Sequence, residues 1–202
     1  MNTAIPARDD LRQVAREAIR SEVADRAVMI LDERGFDETT VEQLAANVGI
    51  SPRSFFRYFP TKEDVVIGNL MEMGRLVEQQ LFARPESEPP WSALRNSLSP
   101  MVLSTESDPP KILRQARVAL STPALRARAV ERHENWATFL APIVAERMLD
   151  TSAGGMLAAR ALTQSALACL FVATSCWVEQ EGSEPFGDLL DATFRSIRPL
   201  GE

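Results

Sequence analysis

Arg53, Arg57 and Lys62 are the only basic residues between Gln43 and Lys62, a stretch with no acidic residue, although the chain carries 22 basic against 28 acidic residues and a net charge of −6. A local positive face on an acidic chain argues against non-specific coating of nucleic acid but suits a confined phosphate contact. On a helix beginning at Pro52, Phe55 and Phe59 fall one turn apart and can anchor it in a core, which turns Arg53, Phe56 and Arg57 outward. Such a face can meet phosphates and base edges. The plainer alternative is a small helical hairpin with one solvated arginine face.

Other chemistry has little to draw on. No G-x-G-x-x-G or P-loop pattern is present to cradle a nucleotide, and no cofactor is expected. His133 is the only histidine and reads as a surface residue; without a second histidine, an H-E-x-x-H or a C-x-x-C pair, a transition-metal site lacks ligands. Cys169 and Cys176 lie seven residues apart, about 10 Å along one predicted helix, too far for a bridge. They read as small apolar residues, with no local feature to activate either thiol as a nucleophile. An enzymatic role is therefore not expected.

The elements that must position Arg53 and its neighbours are legible around it. Thr39 with Glu42 forms a capping-box pair that starts a helix, whose inner stripe is Val41, Leu44, Ala45 and Val48. Gly49 ends it in a left-handed conformation, and Ser51-Pro52 supplies the N-cap and first residue of the next helix. A turn as short as Gly49-Ile50-Ser51 holds two helices at a large crossing angle, as a helix-turn-helix requires. Pro60 closes the second helix, and Thr61 opens a third that runs to about Phe82, with Gly68 and Gly74 permitting close packing or a bend. Before them, Asp9 or Asp10 caps a first helix running to about Arg34, with Val23, Ala27, Ile30 and Leu31 inward and Gly35 at its end. Arg12, Arg16 and Arg20 line one side of it, either as a solvated face balanced by nearby acids or as an extension touching DNA backbone.

The pattern T-V-x-x-L-A from Thr40, followed by G-I-S-x-x-S-F-F-x-Y-F-x-T-K-E from Gly49, resembles the DNA-binding signature of TetR-type regulators. The resemblance implies that Thr40, Ser54, Tyr58 and Lys62 contact phosphates, and that Pro52, Arg53, Phe56 and Arg57 lie on the helix entering the major groove. Phe56 departs from the tyrosine many members carry; its ring offers a thymine methyl an apolar contact instead of a hydroxyl.

The implied architecture is all-α: a three-helix DNA-binding domain over residues 1–66 and a helical bundle over 67–202 for effector binding and dimerisation. No alternating strand pattern or hairpin dipeptide appears in the body. Helices are predicted at 91–104, with Pro100 able to break it, and at 109–120. Others follow at 122–149, kinked at Pro142, at 156–180 and at 186–197. The uncharged run Ala161–Val178 only just reaches spanning length and is interrupted by Thr163, Gln164, Ser165, Thr174 and Ser175, so a buried soluble helix is expected. With no apolar leader at the N-terminus, the expected location is the cytoplasm, without a membrane partner.

Alanines 158, 161, 166, 168 and 173 keep the penultimate helix slim, and Leu189, Leu190, Thr193, Phe194 and Ile197 stripe the last. Two such helices from each of two chains can form a four-helix homodimer contact, as they do in TetR-type regulators; an intramolecular core is the alternative. Trp136, Phe139 and Trp177 can line a cavity for a small apolar effector, with Arg126 and Arg128 at its mouth for an anionic headgroup; the alternative is a dry core with solvated arginines. Leu120 to Trp136, LSTPALRARAVERHENW, resembles regulators of the mycofactocin-regulator type, which implies an acyl-CoA-like ligand. The expected function is a ligand-responsive repressor that binds a palindromic operator in double-stranded DNA as a dimer. A helical carrier or enzyme that only keeps the head's shape is the competing class.

Overall fold

The computed structural model describes residues 8–67 and 69–197, and every element among them is a helix. The chain divides into two compact units, Met1–Asn69 and Leu70–Glu202, a boundary at 69/70 against the 66/67 expected from the sequence.

In the first unit, α1 spans Arg8–Arg34, α2 Val41–Val48, α3 Pro52–Tyr58 and α4 Glu63–Ile67. Val23, Ala24, Ala27, Val28 and Leu31 form the buried stripe of α1, and Gly35 ends it at φ 90°. The cap of α2 lies one residue later than the sequence suggested. Thr40 is the N-cap, its Oγ1 accepting from Gln43 N at 3.2 Å, while Gln43 Oε1 accepts from Thr40 N at 2.9 Å. Thr39 is instead buried, and its hydroxyl donates to the Gly35 carbonyl at 2.8 Å. Glutamine serves the capping box as well as glutamate does, so Thr39-Glu42 and Thr40-Gln43 are competing registers. Burial of Thr39 decides between them.

Gly49 closes α2 at φ 80°, with Ile50 N donating to Ala45 O at 2.9 Å and Gly49 N to Ala46 O at 3.3 Å. Those bonds satisfy two carbonyls left over at the helix end. Ser51 then caps α3 through Ser54 N at 3.1 Å, and Pro52 occupies the first turn. Thr61 and Asp64 reciprocate in the same way before α4, at 2.9 and 3.2 Å.

The second unit holds α5 (Asn69–Ala83), α6 (Pro90–Ser97), α7 (Ser99–Ser107), α8 (Pro109–Leu120), α9 (Pro123–Arg147), α10 (Ala153–Glu179) and α11 (Phe186–Ser196). The expected 91–104 helix is two helices that meet at Leu98, just ahead of Pro100. Pro142 lies inside α9. Gly68 lies outside the described residues, whereas Gly74 serves close packing: a Cβ there would stand 2.3 Å from Trp136 Nε1. Arg147 of α9 ties down the end of α5, donating to Leu81 O at 3.0 Å, to Pro85 O at 2.8 Å and to Arg84 O. A guanidinium on terminal carbonyls matches the negative end of a helix dipole.

Packed centrally, α10 lies against α9 and α11 and also meets α6 and α8. By length and composition it could cross a membrane, but its inner side is core: Ala159, Ala166, Leu167, Leu170, Ala173 and Trp177 are buried. This splits the alanine set expected at a chain–chain contact. Ala166 and Ala173 pack inward, while Ala158, Ala161 and Ala168 are exposed. The α11 stripe is likewise not a free face. Leu190 and Phe194 are buried, with the Phe194 ring centroid 4.6 Å from that of Trp91 and its carbonyl accepting from Trp91 Nε1 at 3.4 Å. Cys169 is buried and Cys176 half-buried, both free thiols; burial pushes the Cys169 thiol up, away from reactivity.

Candidate functional site

In the first unit, Phe55 and Phe59 have no exposed surface and lie 5.4 Å apart, which fixes the roll of α3. The opposite side then carries Arg53, Phe56 and Arg57, all exposed, with Phe56 retaining 49% of its surface. Leaving a phenylalanine this open forfeits much of the 1.5–3 kcal/mol or so that its burial would yield. Arg57 is partly held in place: its guanidinium lies 5.0 Å from the Tyr58 ring centroid and donates to Tyr58 Oη at 3.3 Å. Arg16 donates to the Arg57 carbonyl at 3.5 Å and Arg20 lies over the Phe59 ring at 5.4 Å, so Arg16 and Arg20, from the Arg12-Arg16-Arg20 side of α1, border α3. Thr40 and Pro52 are exposed and Ser54 half-buried, its hydroxyl accepting from Ser51 Oγ at 3.0 Å.

Lys62 has a role inside the unit that its spacing did not reveal. Its Nζ donates to the carbonyls of Phe36 at 2.7 Å and Thr39 at 3.0 Å and sits 4.1 Å from the Phe36 ring centroid. An ammonium has three donors, and these two carbonyls take two of them.

In the second unit a cavity with a free volume of about 90 Å³ opens among α7, α8, α9, α10 and the start of α11. Its walls are mostly apolar, among them Met101, Ile112, Leu170, Phe171, Trp177 and Phe186. Of the residues expected to bind an effector, only Trp177 lines it. Trp136 is fully buried behind it, and Phe139 is half-buried beneath the Arg75 guanidinium at 4.7 Å. Arg126 donates to the Leu120 carbonyl at 2.5 Å and Arg128 pairs on the surface with Glu131 at 3.2 Å, so neither enters the lining.

The polar groups that do enter it are Arg132 and His133, together with Gln115, Thr105 and Thr174. His133 is buried at 7% exposure, not on the surface. The helical phase of Ala129, His133, Trp136 and Leu140 along α9 carries that information, because all four are buried on one stripe. Burial, with the Arg132 charge adding to it, pushes His133 down to about 3 and keeps the ring neutral. Burial also lowers Arg132 to about 10, leaving it charged near neutrality.

Arg132 Nη2 lies 3.5 Å from His133 Nε2, and its Cζ 5.8 Å from the Trp136 ring centroid. Its Nε and Nη1 are out of solvent with no hydrogen-bond partner. A buried donor left unpaired costs about 1–3 kcal/mol, and more when charged. No sequence motif marks this arginine; only its position beside an inward histidine could have.

Replacing Lys62 by alanine removes two charge-assisted bonds to backbone carbonyls, each type worth about 1.5–3 kcal/mol. Urea unfolding of Lys62→Ala should show the first unit destabilised by about that much; an unchanged midpoint would mean the ammonium is not a clamp.

Residues 23–67 match the family model for bacterial regulatory proteins of the tetR family, and residues 88–200, more than half of the chain, match the MftR C-terminal domain. The chain is 29% identical over 143 residues to the HTH-type transcriptional regulator TcmR of Streptomyces glaucescens, covering 68% of this chain and 63% of TcmR. It is 27% identical over 129 residues to MftR of Mycobacterium tuberculosis, covering 62% of this chain and 63% of that protein. The matched stretch thus spans less than two thirds of either relative. Among solved structures, the transcriptional regulator FadR of Bacillus subtilis, in complex with stearoyl-CoA, shares the fold at a TM-score of 0.58 and 19% identity, over 86% of this chain and 95% of that one. With a helix-turn-helix unit and a second helical unit each matching its own model, the chain belongs to the tetR family of bacterial regulatory proteins, in the branch with an MftR-type C-terminal domain.

Proposed function

We propose that this protein is a transcriptional repressor that binds a palindromic operator as a homodimer in the cytoplasm and leaves it when a small apolar effector enters the second unit. The observation that carries this reading is the exposed Arg53-Phe56-Arg57 face of α3, held outward by the buried Phe55 and Phe59. The first unit is the DNA-binding domain and the second the effector-binding and dimerisation domain. Arg53, near the start of α3, reads a base edge, Phe56 packs on a thymine methyl, and Thr40, Ser54, Arg57, Tyr58 and the remaining donor of Lys62 meet phosphates. TcmR's name as a transcriptional regulator supports the DNA half. The effector half is supported by the apolar cavity and by a fold relative whose structure contains stearoyl-CoA. Release requires that the effector favour a conformation that fits the operator less well.

A second copy of the chain is the proposed cover for the outer side of α10. Leu157 keeps 72% of its surface and Val172 48%, and with the exposed Ala158, Ala161 and Ala168 they form a slim apolar stripe along it. Small residues allow the close helix approach a four-helix contact needs. Phe194, by contrast, belongs to the protomer's own core, so a charge placed there would report on folding and not on assembly.

Arg53→Ala should weaken operator binding by about 1–3 kcal/mol and relax preference at one base pair per half-site, read by fluorescence anisotropy on specific and random duplexes. Equal losses on both duplexes would remove Arg53 as a base reader. Ala161→Arg adds a bulky charge at an exposed position that the protomer tolerates. In sedimentation the wild type should be a dimer and this variant largely a monomer; an undiminished dimer would place the contact elsewhere.

A further inference from the structure

We propose that the ligand of the second unit's cavity is a free organic acid, its single carboxylate buried against Arg132 and its apolar body lying along Met101, Ile112, Leu170 and Phe171. The inference rests on the reading of this cavity as the effector site and specifies the headgroup. Nε and Nη1 of Arg132 are out of solvent and unpartnered, and between them they carry three N–H donors. Among the described residues no carboxylate lines the cavity, so none of those walls neutralises the guanidinium. Its nearest companions, the His133 ring and the Trp136 face, are neutral groups that share the charge only weakly.

A half-buried cation whose Nε and Nη1 are out of solvent and unpartnered, in a mostly apolar chamber, is a half-made ion pair, and the missing half is an anion the ligand brings. One unmatched cation fits a monoanion. A phosphate dianion would leave a second charge buried and uncompensated. The guanidinium also presents the planar fork that suits a carboxylate. Size points the same way: a water needs about 10–15 Å³ by the same measure, so the free 90 Å³ holds roughly six to nine water-sized groups, a medium-chain acid at most without further opening. An acyl-CoA fits less well, because its headgroup is far too large for the free volume and brings several negative charges to one guanidinium.

The test titrates the full-length protein with octanoate, octanol and octanoyl-CoA, following tryptophan fluorescence and operator release, and repeats the series with Arg132→Met. Octanoate should bind the wild type at least tenfold more tightly than octanol, and Arg132→Met should erase that difference while still binding octanol. Without ligand, Arg132→Met should melt above the wild type, because it removes an uncompensated charge; octanoate should raise the melting temperature of the wild type by more than it raises that of Arg132→Met. Equal binding of octanoate and octanol, or a preference for octanoyl-CoA that survives Arg132→Met, would overturn the carboxylate assignment while leaving the cavity as an effector site. Binding of none of the three would overturn both. A ligand-free Arg132→Met protein less stable than the wild type would show the guanidinium already satisfied and would also overturn the proposal.

Discussion

Burial of Phe55 within a seven-residue helix and of Phe59 at its C-cap is the constraint on which the first unit depends. A helix this short has no stability of its own in water and holds its shape only by packing. The two rings fix its rotation, and the rotation leaves Arg53, Phe56 and Arg57 outside. The Gly49 turn and the Lys62 clamp serve the same end from either side. One positions the start of α3 relative to α2; the other binds the α4 entry to the carbonyls that precede α2. The proposed reading face is thus a consequence of core packing, and its exposed phenylalanine is surface that the fold does not use.

The second unit reverses that logic, with an unused polar group inside and an unused apolar stripe outside. Arg132 is charged where the surroundings are apolar, and the outer side of α10 is apolar where the surroundings are water. A well-satisfied monomer would show neither. Each has a natural complement, an anionic ligand for the first and a second chain for the second, and both lie on the two helices that pack most extensively against one another, α9 and α10. A ligand that pulls on Arg132 therefore acts on the neighbour of the proposed dimer helix, a route by which cavity and assembly can be linked.

The sequence carried the first unit almost completely, because glycine, proline and hydroxyl caps punctuate it at short intervals and its aromatic anchors repeat at one helical turn. Two expected caps are misplaced: Asp9 and Asp10 lie inside α1, and Thr39-Glu42 gives way to Thr40-Gln43, where two adjacent threonines offer equivalent caps and only tertiary burial separates them. The second unit was legible as helices and much less so as a site. Large aromatics at helical spacing cannot say which of them face a void: Trp177 does, while Trp136 fills the core against Gly74 and Phe139 supports Arg75. Arg126 and Arg128, expected at the cavity mouth, lie outside its lining, and the cavity takes Arg132, one turn beyond Arg128 on α9. Leu189–Ile197 read as a continuous surface stripe because an amphipathic helix looks the same whether it packs on its own chain or on another.

The most direct test of the central claim, that the outward face of α3 reads DNA in a symmetric pair, is selection of bound duplexes from a fully random pool followed by sequencing. One two-fold-symmetric sequence should be enriched, with half-site centres about one helical turn or a small multiple of it apart. A pool that stays random after repeated rounds, with retention governed by salt alone, would contradict it.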